Sequence, residues 1–94
     1  MTSGDSAPPR LVADVTAGAG GAMTVDVGVI TGDLTVATTD LGDGTASVQV
    51  QYTGAEEWYG LEGSPVPLPP TGIRALHRAV LDAVRAGGGA HVGG

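Results

Sequence analysis

Two histidines, ten acids and four arginines make up the charged side chains of this 94-residue chain, and cysteine is absent. Without cysteine there is no thiol catalysis, zinc–thiolate site, iron–sulfur cluster or disulfide. His77 falls one turn after Ile73 on a helical pattern, roughly 40° from the centre of the apolar stripe at 100° per residue. An imidazole at the rim of a helix–sheet groove can sense pH or move a proton. The ordinary alternative, a half-buried histidine with a hydrogen bond, is preferred, because no nucleophile or acid is spaced to work with it. His91 lies in a glycine run, so the two histidines do not form a metal site. Asp40-x-x-Asp43-Gly44 lacks the closing glutamate of a calcium loop and reads as a hairpin turn. Gly18-x-Gly20-Gly21 precedes a strand pattern, whereas a phosphate-binding loop leads into a helix. No Gly-x-Ser-x-Gly elbow is present. These patterns supply no catalytic residue, no metal site and no cofactor site, and an enzyme is not expected.

Two clusters are better suited to binding. Glu56, Glu57 and Glu62 bracket Trp58 and Tyr59. Acids beside aromatics can hold a sugar or a cation, and a groove near Trp58, Tyr59 and His77 is the candidate site for a small ligand or an enzyme substrate. On the predicted helix, Arg74, Arg78 and Arg85 share one arc with Asp82 beside them. Three of the four basic residues thus lie on one face of a chain with net charge −6. Such a face is either solvated, with an Arg78–Asp82 pair at i, i+4, or a docking surface for an acidic partner.

The final run, Gly87-Gly88-Gly89-Ala90-His91-Val92-Gly93-Gly94, carries a resemblance. A flexible tail ending in Gly93-Gly94 resembles the C-termini of ubiquitin-like proteins and sulfur carriers, and the double-glycine end of some bacterial peptide leaders. The resemblance implies activation or processing at Gly94. It covers two residues and their approach. Those carriers have a β-grasp fold whose last ordered element is a strand, whereas here the last predicted element is a helix.

The elements that must position these residues follow from periodicity. Arg10 to Thr16 alternates as a half-buried strand. After a turn at Gly18–Gly21, Met23, Val25, Val27 and Val29 predict one second strand with a clean apolar face. Thr31-Gly32-Asp33 reverses the chain into a third strand at Leu34–Ala37. The Asp43-Gly44 turn leads to a fourth strand at Thr45–Thr53, and Glu57–Leu61 predicts a short fifth. Four prolines between Ser64 and Pro70 predict an extended connector outside any sheet. Ile73, Leu76, Val80, Leu81 and Val84 form one apolar stripe of a helix, with Thr71 as N-cap, Arg85 in the last turn and Gly87 after the end.

Strands followed by one helix, joined by short links, predict an α+β fold: an antiparallel meander of four to five strands with a C-terminal helix on one face. A helix about 22 Å long and about 10 Å wide cannot cover five strands at ~4.8 Å each. Part of the apolar face must therefore be closed by curvature, by the proline connector or by a second copy in a homodimer. The expected organisation is a disordered tail over 1–9, one domain over 10–87 and a flexible tail over 88–94. The N-terminal run has no apolar stretch of the secretory kind, so the expected location is the cytoplasm. The acidic balance argues against nucleic acid and anionic membrane as partners. The absence of Lys, Asn and Phe points to a GC-rich, bacterial genome, an actinobacterium by first expectation. The functional expectation is a non-catalytic accessory, regulatory or immunity-type protein that binds another protein. The alternatives are a carrier or precursor acting through its C-terminal Gly-Gly, and a small-ligand binder or enzyme.

Overall fold

The computed structural model describes residues 9–93. The expected tail over 1–9 therefore lies, apart from Pro9, outside the described residues, as does Gly94. The elements are β1 (Arg10–Thr16), β2 (Ala22–Thr24), β3 (Gly28–Ile30), β4 (Asp33–Asp40), β5 (Thr45–Tyr52), β6 (Tyr59–Gly60), β7 (Val66–Pro67) and α1 (Ile73–Ala86). The fold is α+β. A five-stranded antiparallel sheet runs in the order β1-β4-β5-β6, with β7 also on β5, and β2 and β3 form a second small sheet.

The single strand expected over Met23–Val29 is instead a hairpin. The Thr24 hydroxyl donates to the Gly28 carbonyl at 2.7 Å and accepts from the Val27 N–H at 3.0 Å. These bonds close a turn that Gly28, at φ +77°, completes. Val25, Val27 and Val29, alternating as a core face would, are 65, 55 and 47% exposed. β1 pairs with β4, so the hairpin is an insertion between two neighbouring strands of the meander. It then caps the far side of the main sheet. Val25 N–H bonds to Gly60 O and Glu62 N–H to Met23 O, both near 3.0 Å.

The proline segment also differs from expectation. Val66 and Pro67 pair with Ala46 and Thr45, and Val66 is buried. An edge strand tolerates proline, whose missing N–H faces away from the ladder.

The register puts Leu11, Ala13, Val15, Leu34, Val36, Thr38, Ala46, Val48 and Val50 on one face. α1 lies over β1 and β4 on that face, burying Val80 and Val84 among Leu34, Val36, Val48 and Val50. Its first turn has no side-chain cap. Gly72, rather than Thr71, holds the N-cap position, and its carbonyl accepts from Leu76 N–H. Gly87 closes the other end, with its N–H on Ala83 O. The opposite face of the sheet is mostly polar, carrying Asp14, Thr35, Thr39, Ser47, Gln49 and Gln51.

Residues 88–93, part of the segment expected as a flexible tail over 88–94, run back along the domain. Gly88 and Ala90 donate to Ala19 O and Gly21 O, Met23 donates to Ala90 O, and Val92 to Glu62 O. Ala90 is buried. This segment, the hairpin and the proline strand close the part of the sheet that α1 does not reach.

The tightest joint is between the end of β1 and the end of α1. Gly18 N–H donates to Val84 O at 3.0 Å, and a Cβ on Gly18 would stand 2.4 Å from Arg85 O. Gly18→Ala is expected to push the two backbones apart and cost about 1–3 kcal/mol. A lowered urea midpoint with unchanged slope checks this; an unchanged midpoint refutes it.

Candidate functional site

The arginine face of α1 borders the outer strand of the sheet. Arg74, Arg78, Asp82 and Arg85, with His77 and Leu81, line a groove of about 450 Å³ opposite Leu11, Val12 and Ala13. The helix runs in the same direction as β1, with His77 near Leu11's level and Val84 beside Gly18.

Asp82 does not pair with Arg78. It takes Arg85 Nη1 at 3.0 Å, with both side chains mostly exposed. Among the described residues, no carboxylate lies within ion-pair distance of Arg74 or Arg78. The i, i+4 pair expected from spacing is thus replaced by an i, i+3 pair, and two cations stay available in the groove.

The floor of the groove is an open sheet edge, which sequence reasoning did not assign. Pro9 O accepts from Asp40 N–H at 3.0 Å, and Ala17 N–H donates to Gly32 O at 2.9 Å. These bonds frame the β1–β4 ladder and fix its phase. Odd-numbered residues of β1 exchange bonds with β4, and the N–H and C=O groups of Arg10, Val12, Asp14 and Thr16 point away from the sheet. Among the described residues, no strand pairs with that side. The one sequence signal for it was position: the first strand of a meander is an edge.

His77 is a satisfied, buried group. Its Nδ1 lies 2.7 Å from the Thr38 hydroxyl, and the ring is 8% exposed. Burial pushes its pKa below the ordinary histidine value. The ring faces the groove floor as packing, and Thr38 belongs to a fully buried strand segment.

The groove expected from Trp58, Tyr59 and His77 is not formed. Tyr59 pairs with Val50 on the helix side of the sheet, so Trp58, one residue earlier, points to the other side. There the Arg10 guanidinium stands 5.2 Å from the Trp58 ring centre, within cation–π range. His77 and Trp58 are thus separated by the sheet. Tyr59 hydroxyl reaches Glu57 at 3.3 Å. Lost solvation, then the Glu57 charge, raises its pKa.

The Asp40 and Asp43 carboxylates accept from Gly42 N–H and Thr45 N–H, as turn residues do. The Thr45 hydroxyl also donates to Asp43 and is the main cause of that carboxyl's lowered pKa. Gly93 sits against Gly63 and Val66. A second cavity, of about 540 Å³ and almost wholly apolar, lies between the proline segment, α1 and the C-terminal run, with Val66, Leu68, Leu76, Val80 and Val92 among its walls. Among the described residues, no helix is long and apolar enough to cross a membrane.

The depressed His77 pKa sets a pH dependence. Unfolded, the ring titrates near 6.5; folded, it titrates lower, so acid favours the unfolded chain between the two values. The stability that neutral His77 supplies is complete above about pH 6.5 and is lost as pH falls toward the folded pKa. His77→Gln is expected to flatten the urea midpoint over that interval, and an equally steep profile in the variant refutes it. No family model, no curated protein and no solved structure matches this chain.

Proposed function

We propose that this chain is a small non-catalytic protein-binding protein, of the accessory, regulatory or immunity type, that meets its partner along the α1–β1 groove. The observation that carries the reading is the pairing of two unneutralised arginines, Arg74 and Arg78, with an open strand edge, in a chain of net charge −6. Local cations on an acidic protein select an acidic partner patch and orient it, while the remaining charge repels wrong approaches. The non-catalytic part is supported by His77, whose ring nitrogen is engaged by Thr38 and whose burial favours the neutral form. The carrier reading at Gly93-Gly94 has less support, because Val92 is held by Glu62 and Gly93 packs on Gly63.

The test compares wild type with Arg74→Glu/Arg78→Glu, each untagged at the C-terminus and isolated from the native source. A stoichiometric partner on wild type, weakened at least tenfold by the reversal, is the expected result. A partner retained equally by both proteins overturns the reading. An intact-mass change at Gly94 instead favours the carrier.

The apolar cavity favours a second reading, a binder of a small apolar ligand. Anilinonaphthalene sulfonate is then expected to fluoresce with wild type and to lose at least half the signal with Ala79→Trp, which fills the cavity from its α1 wall. No enhancement with folded wild type refutes it.

A further inference from the structure

We propose that β1 is an acceptor strand: an extended segment of another protein, with acids at alternate positions, adds to its open edge beneath Arg74 and Arg78. This rests on the protein-binding reading above and specifies how the partner is held.

Three observations converge on it. The first is the phase of the β1 ladder. Arg10, Val12, Asp14 and Thr16 present their backbone donors and acceptors outward along a seven-residue strand. Natural edges are blunted by charged side chains (lysine above all), proline, bulges, shortness or a covering helix or loop. Of these β1 carries only the charges of Arg10 and Asp14, at one end and past its middle. β1 has no lysine or proline and pairs with β4 residue for residue without a bulge. The opposite side of the sheet is treated differently, since the β2–β3 hairpin bonds to Gly60 and Glu62 there. Among the described residues, the β1 side is the one left ready to pair.

The second observation is charge spacing. An added strand would lie about 4.8 Å beyond β1, alongside the flank of α1 that carries the arginines. Arg74 and Arg78 are four residues apart, which is about 6 Å along a helix axis. Side chains at i and i+2 of a strand point the same way and are about 6.7 Å apart. Two acids at alternate positions therefore match the two arginines in step. Arg85 is farther along and already engaged by Asp82.

The third observation concerns the other face of the same edge. Val12 points away from α1 and is 52% exposed. The intervening residues of an added strand would stand beside it, so apolar side chains there bury its surface. The recognised pattern is thus acid on the helix side and apolar on the other, over about seven residues. This is strand addition, in which main-chain bonds give affinity and alternate side chains give specificity. A second copy of this chain fits less well. A two-fold pairing of β1 with itself reverses α1 in the second copy, so Arg74 and Arg78 do not face a strand with acids at alternate positions.

The test uses the full chain and two blocked heptapeptides, one alternating glutamate with valine and one alternating lysine with valine. Amide exchange is followed by NMR at low salt with millimolar peptide. The glutamate peptide is expected to slow exchange at Arg10, Val12, Asp14 and Thr16, and to bind at least tenfold more tightly than the lysine peptide. Val12→Pro removes one outward N–H and no internal bond, and is expected to weaken the glutamate peptide at least tenfold. Thr16→Pro, at the strand end, replaces it if the amide spectrum of Val12→Pro is not that of a folded chain. Equal binding of both peptides, binding without protection of the outward amides, or no binding overturns the inference. Protection of the same amides that grows with protein concentration alone also overturns it, in favour of a homodimer. If proline leaves the native partner bound while Arg74→Glu/Arg78→Glu releases it, strand addition fails and the protein-binding reading stands.

Discussion

Leu34, Val36, Val48 and Val50 have no exposed surface, yet α1 lies mainly over β1 and β4. The apolar face is wider than a 14-residue helix, and the described residues hold no second helix to add. Closing the β5 side falls to whatever backbone is left: the hairpin between β1 and β4, the proline strand and the residues after α1. Ile30 from the hairpin, Val66 from the proline strand, and Ala90 and Val92 from the residues after α1 are their contributions to the core. The rest of the architecture follows from that requirement.

A cover made of loops needs backbone that packs closely and still satisfies its polar groups. Glycine provides the approach. Gly18 admits the end of α1, and Gly87 has its Cα against Gly18 and Ala19, where a Cβ would meet Ala19 O at 2.2 Å. The C-terminal run then bonds back to residues 19–21 and Glu62. The hairpin and the C-terminal run hold each other, which is why a glycine-rich run joins the fold instead of extending from it.

The same economy leaves one side of the sheet unguarded. Loops and the C-terminal run gather at the β5–β6 side, and among the described residues nothing returns to the outer edge of β1. The helix that covers β1 turns Arg74 and Arg78 toward that side, while Asp14 and Asp33, which share a second pocket with Arg85, are bonded by Thr35 and Thr16. The groove is therefore locally cationic on an acidic molecule. Its polar backbone and its cations are solvated in the free chain and gain most when a partner supplies both hydrogen bonds and carboxylates.

Periodicity by itself determined the helix, the strands of the meander and the arginine face, because each depends on residues within one element. Amphipathic spacing found the apolar stripe of α1 from Ile73 to Val84 and β1 from Arg10 to Thr16, although the N-cap falls on Gly72 rather than Thr71. It misread Met23–Val29, since alternation looks the same in a strand and across a tight turn. The Thr24 hydroxyl, which makes the turn, acts at i+3 and i+4 and leaves no period. It also placed Trp58 beside His77, although a two-residue strand fixes which side each residue takes. Only the tertiary structure decided the pairing of β1 with β4, the burial of the C-terminal run, the Asp82–Arg85 pair and the open edge under the arginines. Those depend on contacts between residues far apart in the chain, where several partners satisfy the same local pattern and close packing selects one.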